Sequence, residues 1–163
     1  KWLEGYNGVI DHKYLFVNMG YNLKPLDLQG AIGIEQLKKF EYIDEKRREY
    51  KNRVQKFIEE NIKEARVINS LPKGDPSWFG VPIYCESQQV KEKLVKHFED
   101  NKIQTRNYFS GNILLHPGYE HLDDYRDYPN SNKALSNVFF LGCSPLYNDK
   151  VIDYIQEVCK KWN

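Results

Sequence analysis

The chain has 163 residues, with 24 Lys and Arg against 23 Asp and Glu, for a formal net charge of +1. That length fits one domain of the usual size, about 100–150 residues. With 40% hydrophobic and 29% charged residues it can build a core, and the near-neutral balance argues against a nucleic-acid binder that works by charge alone.

No apolar run reaches the roughly 18 residues of a membrane span, and no signal-peptide pattern opens the chain. Cys85, Cys143 and Cys159 are widely spaced, with no Cys-x-x-Cys pair. Such usage suits a reducing cytoplasm and argues against a disulfide scaffold or a closed zinc site.

The opening Lys1–Met19 is aromatic and turn-rich, with Gly5, Gly8 and His12-Lys13-Tyr14. Lacking an initiator Met, the chain reads as cut from something longer. A helix is expected from Pro25, because proline suits a first helical turn and Asp27 complements the positive end of the dipole. Leu28, Ile32, Gln36 and Phe40, with Ile34 and Leu37, recur at spacings of three and four. Gly30 and Gly33 interrupt this stripe at about 1 kcal/mol each relative to Ala, which close approach of another backbone would explain. The helix is expected to continue through Arg47, Arg48, Tyr50, Val54, Phe57 and Ile58 as one long charged rod, suited to bridging two domains or lining a subunit interface.

After the turn cluster Leu71–Pro76 the period falls from near four to two. Ser77–Cys85 alternates like a strand, and Pro82, which cannot donate, points to an edge or a bulge. Ser87 reads as the N-cap of a helix carrying Val90, Leu94 and Phe98 on one face, with His97 beside them as ordinary surface. A short strand at Ile103–Asn107, a loop-rich Asn112–Asn132, a helical turn at Ala134–Asn137 and a strand at Val138–Leu141 follow. Asn148 caps a last helix with Val151, Ile155, Val158 and Cys159. The order predicts an α+β architecture with helices on one face of a small sheet. It divides into residues 1–24, a connecting helix over 25–66, and a small domain over 67–163.

Several clusters carry candidate chemistry. His116 and His121 with Asp123 and Asp124 offer metal-ligand types, but not at zinc-site spacing, and no metal is expected. Lys46-Arg47-Arg48, flanked by Glu, has the form of a solvated helix face, with a protein-binding helix as the alternative. Gly20-Tyr21-Asn22-Leu23-Lys24 places an amide and a base just before a helix start, where backbone N–H groups and the dipole favour an anion; the same residues also serve as common turns and caps. Thr105–Asn112 concentrates hydrogen-bonding groups around two aromatics that can stack on a sugar or planar face. It can equally be a packed loop.

Asp11-His12-Lys13-Tyr14, Gly20–Lys24, Asp27–Gly33 and Gln36-Leu37 together resemble the segment after the active-site strand of pyridoxal-phosphate-dependent sugar aminotransferases, the DegT/DnrJ/StrS family. Ser77–Ile83, Thr105-Arg106 and Phe109–Asn112 are similar to the branch that removes the 3-hydroxyl from nucleotide-linked 4-keto-6-deoxyhexoses. Departures are Asn18, where that branch usually has His, and Ser144-Pro145-Leu146 in place of Tyr-Pro-Gly.

The resemblance implies the small C-terminal domain and connecting helix of an aspartate-aminotransferase-like fold (fold type I). It implies a cytoplasmic homodimer using pyridoxal phosphate or pyridoxamine phosphate on a nucleotide-linked sugar in deoxysugar and O-antigen biosynthesis. The catalytic Lys, or the His that replaces it in the dehydratases, is expected upstream of Lys1, so no catalytic residue is expected here and the piece alone is expected to be inactive. By the same resemblance Asn22 binds the cofactor phosphate of the partner subunit, with Tyr21 and Lys24 beside it. Arg106, Phe109 and Asn112 face the substrate, the alternative for Arg106 being a salt bridge to Asp123 or Asp124. Two other readings stand beside this one: an ordinary sugar aminotransferase, and a non-catalytic binding or dimerisation module built on the charged helix.

Overall fold

The computed structural model describes residue 21 and residues 23–162, in two compact units, Lys1–Lys38 and Lys39–Asn163. The expectations for 1–20 and for Asn22 lie outside the described residues. In the first unit, helix α1 spans Asp27–Leu37. Leu26 is its N-cap in extended conformation, and its N–H donates to the Gln29 side chain at 2.8 Å, half of a capping box. Pro25 therefore stands ahead of the helix rather than in its first turn. No residue of α1 is buried.

The expected single rod is two helices. Helix α2 spans Phe40–Asn61, and Lys39 between the two has φ −99° and ψ −3°. Those angles lie in the bridge region, where the i→i−4 ladder is reset. Neither Gly nor Pro marks the break, so the sequence carries no signal for it.

In the second unit, α2 ends at Ile62 (φ −126°, ψ 90°), and strand β1 follows at Ala65–Val67, overlapping the end of the stretch expected to be helical. Three residues are too few for a period of two to be legible. Then come β2 (Gly80–Cys85), α3 (Gln88–Asp100), β3 (Thr105–Asn107), α4 (Pro129–Asn137), β4 (Val138–Gly142) and α5 (Asp149–Lys160). The four strands form an antiparallel sheet in the order β1-β2-β4-β3. This is the α+β architecture expected, but Pro82 sits in an inner strand. Its carbonyl accepts from Ile68 N–H at 2.9 Å, so its missing donor faces the side where β1 has already ended at Val67.

Alternation places Val81, Ile83 and Cys85 of β2 and Phe139 and Leu141 of β4 on one face. Against them pack Val54 and Ile58 of α2, Leu94 and Phe98 of α3, and Ile152 and Val158 of α5, all at most 1% exposed. Ser87 and Asn148 accept from Val90 N–H and Val151 N–H as expected of N-caps. His97 is no idle surface residue: its Nε2 lies 2.9 Å from the Val158 carbonyl, and its ring meets Trp162 edge-on, tying α3 to the end of α5.

All three cysteines are buried and free. Burial pushes the thiols up from 9.0, to about 11 for Cys85 and Cys143 and about 12 for Cys159. A raised thiol pKa favours the fold below the unfolded value and ceases to do so as pH climbs toward the folded one. Urea midpoints are therefore expected to hold near neutrality and to fall between about pH 9 and pH 12. Native protein at pH 7.5 (about one unit below a free thiol) is expected to resist a thiol-labelling disulfide reagent that modifies all three in denaturant.

Candidate functional site

The face of the sheet opposite the core carries the candidate site. Cross-strand register sets Pro82, Phe140 and Arg106 in one row across β2, β4 and β3. The start of β3 is pinned from α3, where Glu99 accepts from Thr105 N–H at 2.6 Å and from its hydroxyl at 2.8 Å. Those two donors hold the Glu99 carboxyl below the usual range. Arg106 is exposed, and Gln104, with its amide oxygen turned toward it, accepts from the guanidinium at 2.9 and 3.1 Å. Among the described residues no carboxylate pairs with Arg106. Asp124 is taken by Arg126 at 2.6 Å and Asp123 by the Tyr128 hydroxyl at 2.6 Å. The Arg126 side chain lowers the Asp124 carboxyl to about 2. The salt bridge expected as the alternative for Arg106 therefore does not form.

Arg106 borders a cavity of about 310 Å³ at the β3 edge of the sheet, lined by the polar Lys102, Gln104, Tyr147 and Tyr154 and, from the core side, by the apolar Ile103, Leu141 and Ile155. Two cations, an amide and two phenols over an apolar floor suit an anionic group attached to a ring with one apolar face. Of these residues the sequence had pointed only to Arg106. Tyr154 lies on α5, while Tyr147 lies in the turn before its N-cap Asn148, so no helical spacing relates the two. The sequence therefore carried no local signal that would bring Tyr147 and Tyr154 together.

Phe109 is exposed at 65% and carries φ +50°, a backbone conformation uncommon for a bulky side chain. Its ring stands 6.0 Å from Phe79 and 5.9 Å from Phe140, an aromatic patch on the open face. Gly111 holds φ +64°, and a Cβ there would collide with Leu135. Asn112, expected on the substrate side, is instead 3% exposed. Its amide donates to Asn132 at 2.8 Å and to the Tyr125 carbonyl at 3.2 Å, and its oxygen accepts from Leu114 N–H at 3.0 Å. It fastens the loop that carries Phe109, and sequence alone cannot separate a buried clasp from an exposed ligand.

The basic cluster is not a free face. Arg48 bonds Asp44 at 2.9 Å and also pairs with Asp75, while Lys46 pairs with Glu49 at 2.6 Å. Farther along α2, Arg53 reaches Asp149 at 2.6 Å. Lys51, 4% exposed, donates to Gln55 and Asn69 at 2.6 Å each and lies 5.0 Å from the Trp78 ring. Its desolvation pulls the ammonium pKa down. Arg48 and Lys51 anchor the loop of residues 69–78 and Arg53 the start of α5, while Lys46 pairs within α2 and the buried Arg47 Nε has no partner among the described residues. Among the described residues, no three His, Cys, Asp or Glu side chains converge as metal ligands, and no helix is long and apolar enough to cross a membrane.

In the other unit, Tyr21 is 91% exposed and Lys24 is exposed, both ahead of α1. No side chain caps α1 from the Leu26 position, and Asp27 stands in the first turn. That carboxylate opposes an anion at the helix end itself. Phosphate binding would therefore fall to the side-chain donors that precede the helix, and a phenol, an amide and an ammonium form a fitting donor set for it.

The profile of the DegT/DnrJ/EryC1/StrS aminotransferase family matches residues 4–160. The chain belongs to this family. It is 35% identical over 152 residues to a dTDP-4-dehydro-2,6-dideoxy-D-glucose 3-dehydratase of Saccharopolyspora spinosa, covering 90% of this chain and 32% of that protein. It is 31% identical to the lipopolysaccharide biosynthesis protein RfbH of Salmonella typhimurium, covering 89% and 34%. Among solved structures, an E. coli GDP-4-keto-6-deoxy-D-mannose-3-dehydratase with bound hydrated PLP superposes with a TM-score of 0.76 at 28% identity, over 91% of this chain and 39% of that one. A GDP-4-keto-6-deoxymannose-3-dehydratase mutant with bound GDP-perosamine gives 0.72 at 26% identity, over 94% and 42%. The chain thus spans about a third of the length of the curated family relatives it matches.

Gly111→Ala is expected to destabilise the protein by about 1–3 kcal/mol, because it combines a strained φ with a clash. Arg106→Ala, on an exposed side chain with no ion pair, is expected to stay within about 0.5 kcal/mol of the parent. Urea denaturation followed by tryptophan fluorescence compares the two.

Proposed function

We propose that this chain is the C-terminal part of a pyridoxal-phosphate-dependent, cytoplasmic homodimer that removes the 3-hydroxyl from a nucleotide-linked 4-keto-6-deoxyhexose in deoxysugar and O-antigen biosynthesis. The observation that carries the reading is Arg106. It is a guanidinium exposed on the sheet that, among the described residues, has no carboxylate partner, beside a cavity of about 310 Å³ and near an exposed aromatic patch, in a chain whose relatives include sugar 3-dehydratases. Arg106 gives a forked, charge-assisted pair to an anionic group of the nucleotide-sugar, a geometry Lys does not reproduce. Phe109 stacks on a sugar or base face, and Asn112 positions the loop that presents it. Asn22, with Tyr21 and Lys24, holds the cofactor phosphate of the partner subunit. When bound, the cofactor supplies an electron sink for bond cleavage next to the keto carbon.

The intact enzyme, given a nucleotide-linked 4-keto-6-deoxyhexose, the cofactor in its amine form and glutamate, is expected to yield a sugar that has lost the 3-hydroxyl, read by mass spectrometry. A 4-amino sugar with the 3-hydroxyl retained would establish the aminotransferase reading instead. Arg106→Lys is expected to raise KM for the nucleotide-sugar with the cofactor spectrum unchanged; unaltered kinetics would remove Arg106 from the site. Asn22→Ala is expected to loosen cofactor binding, and mixing it with a variant at the upstream catalytic position is expected to restore one active site per heterodimer. The isolated 163-residue chain is expected to show no pyridoxal absorbance after dialysis against cofactor.

A further inference from the structure

Just past the end of α3, Lys102 carries φ +61°, the left-handed conformation that helix ends ordinarily give to glycine. The carbonyls there already have their donors. Lys102 N–H donates to the Glu99 carbonyl at 2.9 Å, Ile103 N–H to that of Phe98 at 2.9 Å, and the Tyr154 hydroxyl to that of Asn101 at 2.9 Å. The Lys102 ammonium is therefore not needed to cap the helix. Nor do the acids nearest in the chain hold it: Glu99 accepts twice from Thr105, and Asp100 pairs with Lys96 at 2.8 Å. Among the described residues neither Lys102 nor Arg106 has an ion pair, and both border the same cavity. A lysine kept where glycine would sit without strain points to use of its side chain.

We propose that Lys102 is the second cation of the nucleotide-sugar site, binding one phosphate of the diphosphate link while Arg106 binds the other. The inference rests on the proposed function and deepens it. Each phosphate of such a link carries its own negative charge, so a single guanidinium engages one and leaves the other unpaired. Arg106 offers a planar fork to the first, and Lys102 a compact charge on a flexible stem that adapts to the second. Gln104, between them in the chain, is neutral. Its amide oxygen accepts from the Arg106 guanidinium at 2.9 and 3.1 Å, which orients that group without cancelling its charge, as a glutamate would. The segment that carries both cations is fastened at each end. Asn101 is tied to α5 through Tyr154, and the buried Thr105 is tied to α3 through Glu99. Two charges are thus held ready on one short stretch of backbone, which lowers the ordering cost of binding.

Lys102→Gly and Lys102→Gln in the intact holoenzyme test the assignment. Both are expected to raise KM for the nucleotide-linked 4-keto-6-deoxyhexose about tenfold, with kcat within about twofold, as loss of one charge-assisted contact requires. The urea midpoint of Lys102→Gly is expected to stand at or above that of the parent, because glycine relieves the left-handed φ. A lowered midpoint would mark a residue kept for stability and overturn the role. Competitive inhibition by inorganic pyrophosphate is expected to weaken about tenfold in both variants, while that by inorganic phosphate, which Arg106 can hold alone, changes less than about twofold. Unaltered KM in both variants, or a parent enzyme with which pyrophosphate does not compete, overturns the role of Lys102 and leaves the proposed function standing. Unaltered kinetics in Arg106→Lys remove the site itself, and the role of Lys102 with it.

Discussion

Everything on the open face depends on the register between β2 and β4. Ile83 opposite Phe139 and Val81 opposite Leu141 put four apolar side chains into the core, and the residues between them, Pro82 and Phe140, emerge on the other side. Because the side-chain period of a strand is two, a slip of one residue would send Phe140 inward and Phe139 out. Burial of Phe139 against Phe98, with ring centroids 6.2 Å apart, opposes that slip strongly. The position of Arg106 follows from it, since among the described residues β3 pairs only with β4.

A second layer of constraint is electrostatic and mostly local. The contacts of Arg48 with Asp44 and Asp75, and of Arg53 with Asp149 and Asp153, join α2 to the 69–78 loop and to α5. Exposed pairs of this kind contribute little energy each, about 0–1 kcal/mol. Their effect is directional: they fix how the rim of the unit closes over a core whose free energy comes from apolar burial. Lys51 differs, because its ammonium is buried and so requires the Gln55 and Asn69 acceptors it has.

The segment from Tyr108 to Tyr128 shows how a loop can be ordered and still present apolar surface. Asn112, Asp124 and Asn132 tie its backbone through side-chain bonds, while Phe109, Tyr119, Leu122, Tyr125 and Tyr128 remain exposed. A long loop with its own internal bonds and an aromatic exterior is the usual form of a binding loop carried on a rigid scaffold.

The sequence by itself determined the class of fold, the family, the helix caps at Ser87 and Asn148, and the strands around Ile83 and Phe139, because periodicity and capping are local properties that neighbours in the chain suffice to express. It also singled out Arg106 as a candidate ligand. Only the tertiary structure decided that the long rod breaks at Lys39, that Pro82 occupies an inner strand, and that Asn112 is a buried clasp while Arg106 bonds Gln104 and, among the described residues, no carboxylate. The places of Pro82 and Asn112 turn on what lies opposite each in space: the end of β1 beside Pro82, and Asn132 beside Asn112. Such partners are set by long-range pairing, which no window of neighbouring residues contains.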